Sequence, residues 1–396
     1  MGGDKFRDEY SLAFDGTDDY IAIPSTTYNV HNTAYSFVFW AKRNAINSWD
    51  IVLGNSAVST YNFIIFDTDG GDRLMIEGSN DDTATGVCSV VAGRWYHFAV
   101  ITNGDGTASM YQDGNAITMS DNSVGSAMVI DAIGAGSSNH FGGNISEIAI
   151  YNTALSASQV KTLYNGREPY NHKEGIASGN LKAWWRMGDG RLDGSAQITG
   201  NSDDSSQDNI ISDEVDSSLG AELYTPANSL STNEADDQST GLTVISGATV
   251  ADETSIVSGG SSRSLKYTAT GNTDGVTIDL TSDIDLTVGS VYKVSVDARH
   301  IGSGGLQSIR LAEDSGVSTT GETLEIIDIS NSMTTFVTYT AYFIHSDSTT
   351  RYFGAREGSG TDDGGLYLDN LSVRQVNGNA GIMNNMTADD FTGDTP

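Results

Sequence analysis

Short apolar runs separated by tight-turn signals recur along most of this chain, and they constrain its fold more than any other feature. Residues 35–40 and 95–101 are rich in aromatic and β-branched side chains, which favour strands. Asp15-Gly16 and Asp113-Gly114 supply the positive φ angles that tight hairpins need. With 45 glycines, 4 prolines and no long stretch of helix-forming residues, the sequence predicts an all-β protein.

One short helix is predicted after residue 156. Ser156 and Gln159 have the spacing of a capping box, and apolar residues follow at helical intervals. Asn165-Gly166 then supplies a signal that ends the helix.

The length of 396 residues exceeds one ordinary domain, for which about 150 residues is typical. Apolar and polar residues alternate along 265–269, 291–297 and 366–373, as in antiparallel sheets with one solvated face. We predict two tandem β-sandwiches, residues 10–170 and 221–376. The other predicted segments are an N-terminal arm (1–9), a junction with one strand and an acidic loop (171–220), and an extended C-terminal tail (377–396).

The charge balance and the termini restrict the partners. There are 20 basic and 52 acidic residues, giving a formal net charge of −32, which repels nucleic acids and anionic membranes. No apolar run reaches the roughly 18 residues of a transmembrane helix, and the N-terminus has no signal-peptide pattern. We therefore expect a soluble protein that is not exported by the usual route. The single cysteine, Cys88, lies in an apolar strand-like run and is expected to be buried.

Both predicted sandwiches resemble known families. Residues 12–24, 93–100 and 141–156 resemble the laminin-G-like, concanavalin A-type lectin sandwiches, a fold that hosts glycan binders, protein adhesives and hydrolases. Residues 264–267, 289–298 and 366–373 resemble the calcium-containing jelly-roll carbohydrate-binding modules of bacterial glycanases. The resemblance implies a concanavalin A-like sandwich followed by a carbohydrate-binding-module-like jelly roll.

The sequence lacks the catalytic signatures of the enzyme classes that this fold would suggest. Glycanases of the first fold display carboxylates at alternate positions of one strand, so that the pair lies on one face. Glu147 stands alone on its strand, and Glu325 and Asp328 have the wrong period. Neither a nucleophile elbow nor a phosphate-binding loop is present. We predict that the chain is not an enzyme, and that His97 is a satisfied core histidine.

Calcium is the expected ion, because it binds oxygen ligands on flexible loops. Asp67, Asp69 and Asp72 offer three carboxylates within six residues; the alternative is that they are turn residues selected for backbone conformation. By resemblance, Asp369 holds a structural calcium in the second module with help from Glu222. Asp15, Asp18 and Asp19 form another acidic cluster in the first module. The family resemblance, which implies calcium at loop ends on one rim, favours Asn55 and the loop 139–144 there.

Sugar binding needs exposed aromatic faces together with polar groups for hydroxyls. Trp49, Tyr61, Tyr342 and Tyr352 are the candidate carbohydrate-binding residues, and Trp184-Trp185 could also serve. The alternative for each of them is core packing, which is the usual place of aromatic residues in β-sandwiches.

The last resemblance concerns biological context. A laminin-G-like module with the closing segment 381–390 is similar to structural proteins of marine bacteriophages. Together with the missing export signal, it predicts a virion structural protein displayed on the particle surface: a capsid decoration, head fibre or tail-associated adhesin. Its expected partners are other virion proteins, further copies of itself and a host-surface glycan. The alternative is a carbohydrate-binding lectin module of a bacterial extracellular protein, and a third reading is a polysaccharide hydrolase.

Overall fold

The computed structural model describes residues 6, 8–46, 49–57, 61–68, 71–79, 83–190, 193, 210–216, 218–224, 242–259, 261–271, 274–284, 286–312, 323–345, 350–359, 363–386 and 388–396. The chain divides into two units. Unit 1 comprises Met1–Ser195, Asn209–Ser217 and Gly378–Pro396, and unit 2 comprises Ala196–Asp208 and Ser218–Asn377. Because the chain returns to unit 1 at its end, unit 2 is inserted into unit 1.

Strands make up most of the described chain. Before the inserted unit they are β1 (Ser11–Asp15), β2 (Tyr20–Tyr28), β3 (Ala34–Arg43), β4 (Asp50–Gly54), β5 (Phe63–Asp67), β6 (Arg73–Glu77), β7 (Thr83–Val87), β8 (Trp95–Asn103), β9 (Ala108–Gln112), β10 (Asn115–Ala116), β11 (Thr118–Asp121), β12 (Met128–Ile133), β13 (Gly142–Tyr151), β14 (Leu181–Trp185) and β15 (Ile210–Ile211). In unit 2 they are β16 (Leu219–Glu222), β17 (Thr243–Ile245), β18 (Thr249–Glu253), β19 (Ser264–Ala269), β20 (Gly275–Asp279), β21 (Val291–His300), β22 (Leu306–Ala312), β23 (Thr323–Ile329), β24 (Val337–Ile344), β25 (Tyr352–Ser359) and β26 (Gly364–Val376). Two strands follow it, β27 (Gly381–Asn384) and β28 (Phe391–Thr392).

Unit 1 is a sandwich of two antiparallel sheets. Among the described residues, sheet I has the order β10-β9-β8-β3-β13-β1-β28, with β14 also paired to β13, and sheet II has the order β11-β7-β6-β5-β4-β12-β2-β27-β15. The main core lies between them, where Phe98 of sheet I meets Phe66 of sheet II with ring centroids 4.9 Å apart. Cys88 is buried against this core, as expected. The all-β prediction is confirmed.

Helix α1 (Ala157–Tyr164) covers part of the outer face of sheet I. Its Ser156 side chain accepts from the Gln159 backbone N–H, and the Gln159 side chain accepts from the Ser156 backbone N–H. Asn165 ends the helix in a left-handed conformation (φ 49°). The predicted capping box is confirmed. Val160 and Leu163 bury the apolar side of the helix in a second, smaller cluster.

The junction and the C-terminal tail differ from the sequence-based expectation. Strand β14 of the predicted junction pairs with β13 inside sheet I, whereas residues 201–209 of the predicted acidic loop lie outside the described residues. The tail is not an extended appendage, since β27 pairs with β2 and β15, and β28 pairs with β1. Apolar side chains explain this: Met383 and Met386 are fully buried in the core of unit 1.

Unit 2 is also a sandwich of antiparallel sheets. In its described part, sheet III has the order β18-β19-β26-β21-β24, with β16 on β26, and sheet IV has the order β17-β20-β25-β22-β23. A short helix, α2 (Leu280–Asp283), follows β20. The core between the sheets contains residues at alternate strand positions, among them Leu366 and Leu368 of sheet III and Ile309 and Leu311 of sheet IV.

Candidate functional site

Trp49 is an exposed aromatic residue on the outer face of sheet II. It precedes β4 in a left-handed backbone conformation (φ 67°), and 40% of the residue is exposed. Its indole lies edge-on to the ring of Phe63, with centroids 5.9 Å apart. Beneath it, Phe63 forms with Ile51 and Ile65 a buried apolar cluster that is separate from the main core and also contacts Met75. This packing holds the indole in place and leaves part of it open to solvent.

A charged pair lies on the same outer face of sheet II. Asp67 stands at the end of β5, four positions after Phe63. It is the register partner of Arg73, and their side chains form an ion pair. Alternation places both on the face that carries the cluster beneath the indole. We call Trp49, Asp67 and Arg73 the Trp49 platform: an aromatic ring and a charged pair on one face of the sheet.

Asp67, the first residue of the predicted calcium loop at 67–72, is engaged in an ion pair. The Arg73 guanidinium at the Asp67 carboxylate opposes a divalent cation there, because the two cations would repel each other. Asp69 lies outside the described residues. The backbone carbonyl of Asp72 accepts a hydrogen bond from the Cys88 N–H at 3.0 Å. Asp67 is therefore placed in an ion pair and not in the predicted metal site.

The other predicted sugar-stacking residues are less accessible. Tyr342 is only 2% exposed, so the structure contradicts its assignment as a stacking platform. Trp184 and Trp185 are 2% and 1% exposed and belong to the two clusters of unit 1. Tyr61 and Tyr352 are half-buried, each in a different unit. Of the predicted aromatic residues, Trp49 offers the most open ring.

An acidic rim site lies at the turn between β1 and β2. The carboxylates of Asp15, Asp18 and Asp19 each offer an oxygen within 4.8 Å of the others. Asp15 and Asp18 are exposed, whereas Asp19 is 4% exposed. Burial and the charges of Asp15, Asp390 and Asp18 raise the pKa of Asp19 to about 6. Carboxylate oxygens in this arrangement fit the ligand chemistry of calcium.

Two of the other rim candidates have defined places. The loop that includes residues 139–144 lies beside the acidic turn, because Asp15 pairs with Gly142. Asn55 is 7% exposed, and its side-chain oxygen accepts a hydrogen bond from the Ala57 N–H at 3.0 Å. The 139–144 loop, which the family resemblance favoured as a calcium site, therefore lies next to the acidic turn.

In unit 2 the two predicted calcium ligands are separated. Glu222 pairs with Arg374 across β16 and β26, at 3.1 Å between Oε2 and Nε. The Glu222 carboxylate also accepts from the Val373 N–H at 2.7 Å, four positions after Asp369 on β26. Asp369 is 1% exposed, and its carboxylate accepts from the N–H groups of Ser258 (2.9 Å) and Asn370 (2.8 Å). These hydrogen bonds already compensate the buried carboxylate, and the structure does not bring Glu222 to it.

A buried carboxyl network that no sequence pattern predicts lies on the outer face of sheet I. Glu147 is fully buried at a left-handed position (φ 52°) of β13, where the register shifts. It accepts hydrogen bonds from Trp184 Nε1 (2.5 Å) and Arg186 Nε (3.1 Å). Asp8 also bonds to it, and Asp8 further contacts Asp189. Since both Glu147 oxygens are engaged and inaccessible, the residue is not placed to act on a glycosidic bond.

Residues of the network lie up to 181 positions apart in the chain, from Asp8 to Asp189. No local pattern links them, and only the pairing of β13 with β14 brings Glu147 next to Trp184. None of the described helices is long and apolar enough to cross a membrane.

Comparisons with known proteins bear on the fold. Residues 15–161 match the family model described as the concanavalin A-like lectin/glucanases superfamily. A search of curated protein sequences finds no match. Similar solved structures include the CBM22-1 xylan-binding domain of Xyn10C from Paenibacillus barcinonensis, at 14% identity over 41% of this chain and 96% of that chain, with TM-score 0.29.

Two further structures are similar. A heptameric SAP-like pentraxin from Limulus polyphemus is 16% identical over 40% of this chain and 82% of its own, with TM-score 0.31. The CBM40 of the Ruminococcus gnavus IT-sialidase is 12% identical over 39% of this chain and 96% of its own, with TM-score 0.31. At these identities and TM-scores, no property of these proteins transfers to this chain.

The lectin-type resemblance predicted from residues 12–24, 93–100 and 141–156 is confirmed by the family match, whereas the resemblance to bacteriophage proteins gains no support. Trp49 and the acidic turn after β1 both fall within the matched range. Residues 15–161 therefore form a domain of the concanavalin A-like lectin/glucanases superfamily.

Proposed function

We propose that this chain is a non-catalytic glycan-binding protein whose first sandwich binds a sugar on the Trp49 platform. The observation that carries the proposal is the 40% exposed indole packed against Phe63, on the face of sheet II that also carries the Asp67–Arg73 ion pair. A sugar ring stacks its C–H groups on an aromatic face, and Asp67 and Arg73 supply an acceptor and donors for ring hydroxyls. The position of the platform in a lectin-type domain supports the proposal.

Binding without catalysis is supported by the carboxylates of the same domain. The Asp67 carboxylate is ion-paired, and Glu147 is buried with both oxygens engaged. A glycosidase needs two accessible carboxyl groups on either side of the scissile bond. The platform lacks that arrangement in the part of the chain that the structure describes.

The test is a glycan array followed by calorimetry with neutral oligosaccharides. Trp49→Ala should lower the affinity for the best neutral ligand at least about tenfold, since aromatic anchors dominate such contacts. Tyr10→Ala is the matched control, because Tyr10 is 45% exposed but lies outside the platform. Equal affinities of the wild-type chain and Trp49→Ala would contradict the proposal, as would failure of every neutral glycan to bind.

We also propose that Asp15, Asp18 and Asp19 bind calcium at the rim of the same domain. The convergence of three carboxylates within 4.8 Å supports this assignment. The ion would neutralise the crowded carboxylates and fix the turn between β1 and β2. This acidic turn replaces the predicted loop at 67–72 as the candidate calcium site of unit 1.

Display on a virion surface stays a sequence-based prediction. It depends on the resemblance of segment 381–390, and the site geometry does not bear on it. Electron microscopy of particles that contain the chain at a fixed copy number would support it, and a monomer without particle association would count against it.

A further inference from the structure

The outer face of sheet III collects basic side chains in a chain with a formal net charge of −32. Lys266 on β19 and Arg299 on β21 are both register partners of Tyr367 on β26. Lys266 Nζ lies 6.0 Å from the centroid of the Tyr367 ring, and Arg299 Cζ lies 5.5 Å from it. Two cations therefore share one aromatic ring.

These side chains point away from the core. Leu366 and Leu368, the strand neighbours of Tyr367, are fully buried, and strand residues alternate between faces. Lys266 and Arg299 are half-buried, and Tyr367 is 6% exposed. The ring thus serves as a support for the two cations, and the cations are the groups that a ligand can reach.

Neither cation has a carboxylate partner within the described ranges. The Arg299 Nε reaches only the His300 carbonyl, at 3.5 Å, and Lys266 forms no ion pair there. A second ring, that of Phe336, lies 5.9 Å from the Arg299 guanidinium and helps to fix its plane. A fixed, unpaired guanidinium presents a planar fork of N–H donors that matches a carboxylate or sulfate.

The two acidic residues on this face, Asp297 and its register partner Asp369 on β26, are otherwise engaged. Asp369 accepts hydrogen bonds from the N–H groups of Ser258 and Asn370. Asp297 lies two positions before Arg299 on β21, but its carboxylate does not pair with that guanidinium. It accepts hydrogen bonds from three side chains, those of Ser258 (2.7 Å), Asn370 (2.9 Å) and Thr338. Asp297 therefore leaves the charge of Arg299 uncompensated and adds polar groups beside it.

A second basic pair lies farther along the same face. Lys293 and Arg374 are direct register partners, a placement that is unfavourable for like charges. Arg374 pairs with Glu222, whereas Lys293 forms no ion pair within the described ranges. Burial and the charge of Arg374 lower the pKa of Lys293. An anionic ligand on this face would relieve both pairs of cations.

We propose that the outer face of sheet III binds an anionic sugar residue, with a uronate carboxylate or a sulfate ester held between Lys266 and Arg299 over Tyr367. The ligand is a sugar and not a long polyanion, because the overall charge of −32 repels extended polyanions. The hydroxyl and carboxylate groups around Asp297 can bond to ring hydroxyls. This site is separate from the Trp49 platform and does not depend on it.

The experiment measures binding of the full chain to an oligogalacturonide and to a sulfated, heparin-derived tetrasaccharide by calorimetry. Arg299→Gln and Lys266→Gln should each lower the affinity for the bound anionic sugar about tenfold, the loss of one charge-assisted contact. Arg263→Gln is the matched control: it removes one charge from the same unit, but Arg263 is paired with Asp252. The relative affinities for the two probes distinguish carboxylate from sulfate recognition.

Two results would overturn the proposal. One is that neither anionic probe binds the folded wild-type chain. The other is that Arg263→Gln weakens binding as much as Arg299→Gln, because a nonspecific charge effect would then suffice. Thermal melts identify variants that fail to fold, and in that case Arg299→Lys, which keeps the charge and removes the fork, replaces Arg299→Gln. Loss of neutral-glycan binding in Trp49→Ala reports on the proposed function alone.

Discussion

Asp8 and Glu147 share a hydrogen bond between their carboxyl groups, which requires one of the two to carry a proton. Burial, followed by the charges of Glu147 and Asp189, raises the pKa of Asp8 to about 10. Burial also raises the pKa of Glu147 to about 7, although Arg186 opposes this shift. The hydrogen bond between Asp8 and Glu147 attaches the N-terminal segment to sheet I. In the same segment, the Phe6 ring lies 4.4 Å from the Arg186 guanidinium.

This pair predicts a loss of stability as the pH rises above the ordinary pKa values of the two carboxyl groups. A group whose pKa is raised in the folded state contributes stability below its ordinary pKa, and that contribution disappears as the pH rises through the folded value. For Asp8 and Glu147 the loss should begin above their ordinary pKa values of 3.8 and 4.5 and be complete by about pH 10. In Asp8→Asn, an amide donates to Glu147 without titrating, so its melting temperature should fall less over that range.

Thermal melts across this pH range check the prediction. Glu168→Gln is the control, because Glu168 is an exposed carboxylate away from the network. If the wild-type chain and Asp8→Asn lose melting temperature in parallel, the shared proton is not responsible for the pH dependence.

The buried His97 offers a second prediction. It is 1% exposed, and neither ring nitrogen has a hydrogen-bond partner among the described residues, so the sequence-based expectation of a satisfied histidine is wrong in that respect. Burial lowers the pKa of His97 to about 3, which keeps the ring neutral. Leaving a buried polar group unsatisfied costs about 1–3 kcal/mol. His97→Phe should therefore stabilise the fold by about 1 kcal/mol or more, while retaining the edge contact with Trp40.

His172 provides the matched control for this experiment. It is 2% exposed in the same unit, but its Nδ1 is 2.6 Å from the Tyr151 hydroxyl. His172→Phe should destabilise the chain in urea unfolding, because the hydroxyl loses its partner. A comparable destabilisation by both substitutions would mean that the His97 nitrogens are satisfied after all.

The outcome for His97 shows which properties the sequence could predict. The burial of His97 could be predicted from the aromatic residues of its own strand, and helix α1 could be predicted from Ser156 and Gln159. Both features depend on residues that are close together in the sequence. Whether the His97 ring nitrogens find hydrogen-bond partners depends on side chains from other strands, and no spacing in the sequence predicts which side chains those are. The same limit explains why Asp67 was predicted as a metal ligand. Arg73, its ion-pair partner, reaches it only across the β5–β6 hairpin, whereas the exposure of Trp49 was predicted correctly.

The C-terminal segment supports a third prediction, which sequence order alone would not suggest. Met383 follows the whole of unit 2 in the chain, yet it is fully buried in unit 1 opposite Ile21. Met383→Ala should destabilise unit 1 by about 2–5 kcal/mol, the usual cost of truncating a buried methionine. All five tryptophans lie in unit 1, so their fluorescence reports its unfolding.

Leu371→Ala is the control for this measurement, because it removes a fully buried side chain from the core of unit 2. It should lower the midpoint of the tryptophan transition in urea less than Met383→Ala does. An unchanged tryptophan transition in Met383→Ala would contradict the placement of β27 between β2 and β15.

Calcium binding at the acidic rim is the fourth prediction. An ion that binds only the folded state stabilises it, by about 2.7 kcal/mol when its concentration is a hundred times the Kd. Calcium should therefore raise the melting temperature of the wild-type chain, and Asp18→Asn should remove most of that increase. Because binding requires an ionised Asp19, the effect should weaken as the pH falls through about 6. Asp121→Asn is the control, since it neutralises an exposed turn carboxylate elsewhere in unit 1.

A variant at the buried Asp369 distinguishes calcium binding at the rim of unit 1 from calcium binding in unit 2. If calcium stabilises Asp18→Asn as strongly as the wild-type chain and fails to stabilise Asp369→Asn, the ion binds in unit 2, as the family resemblance first implied. Chelation that leaves the melting temperature of the metal-treated wild-type chain unchanged would argue against both sites. The rim is the stronger expectation, because Asp15, Asp18 and Asp19 converge on one point, whereas Glu222, the predicted partner of Asp369, pairs with Arg374 instead.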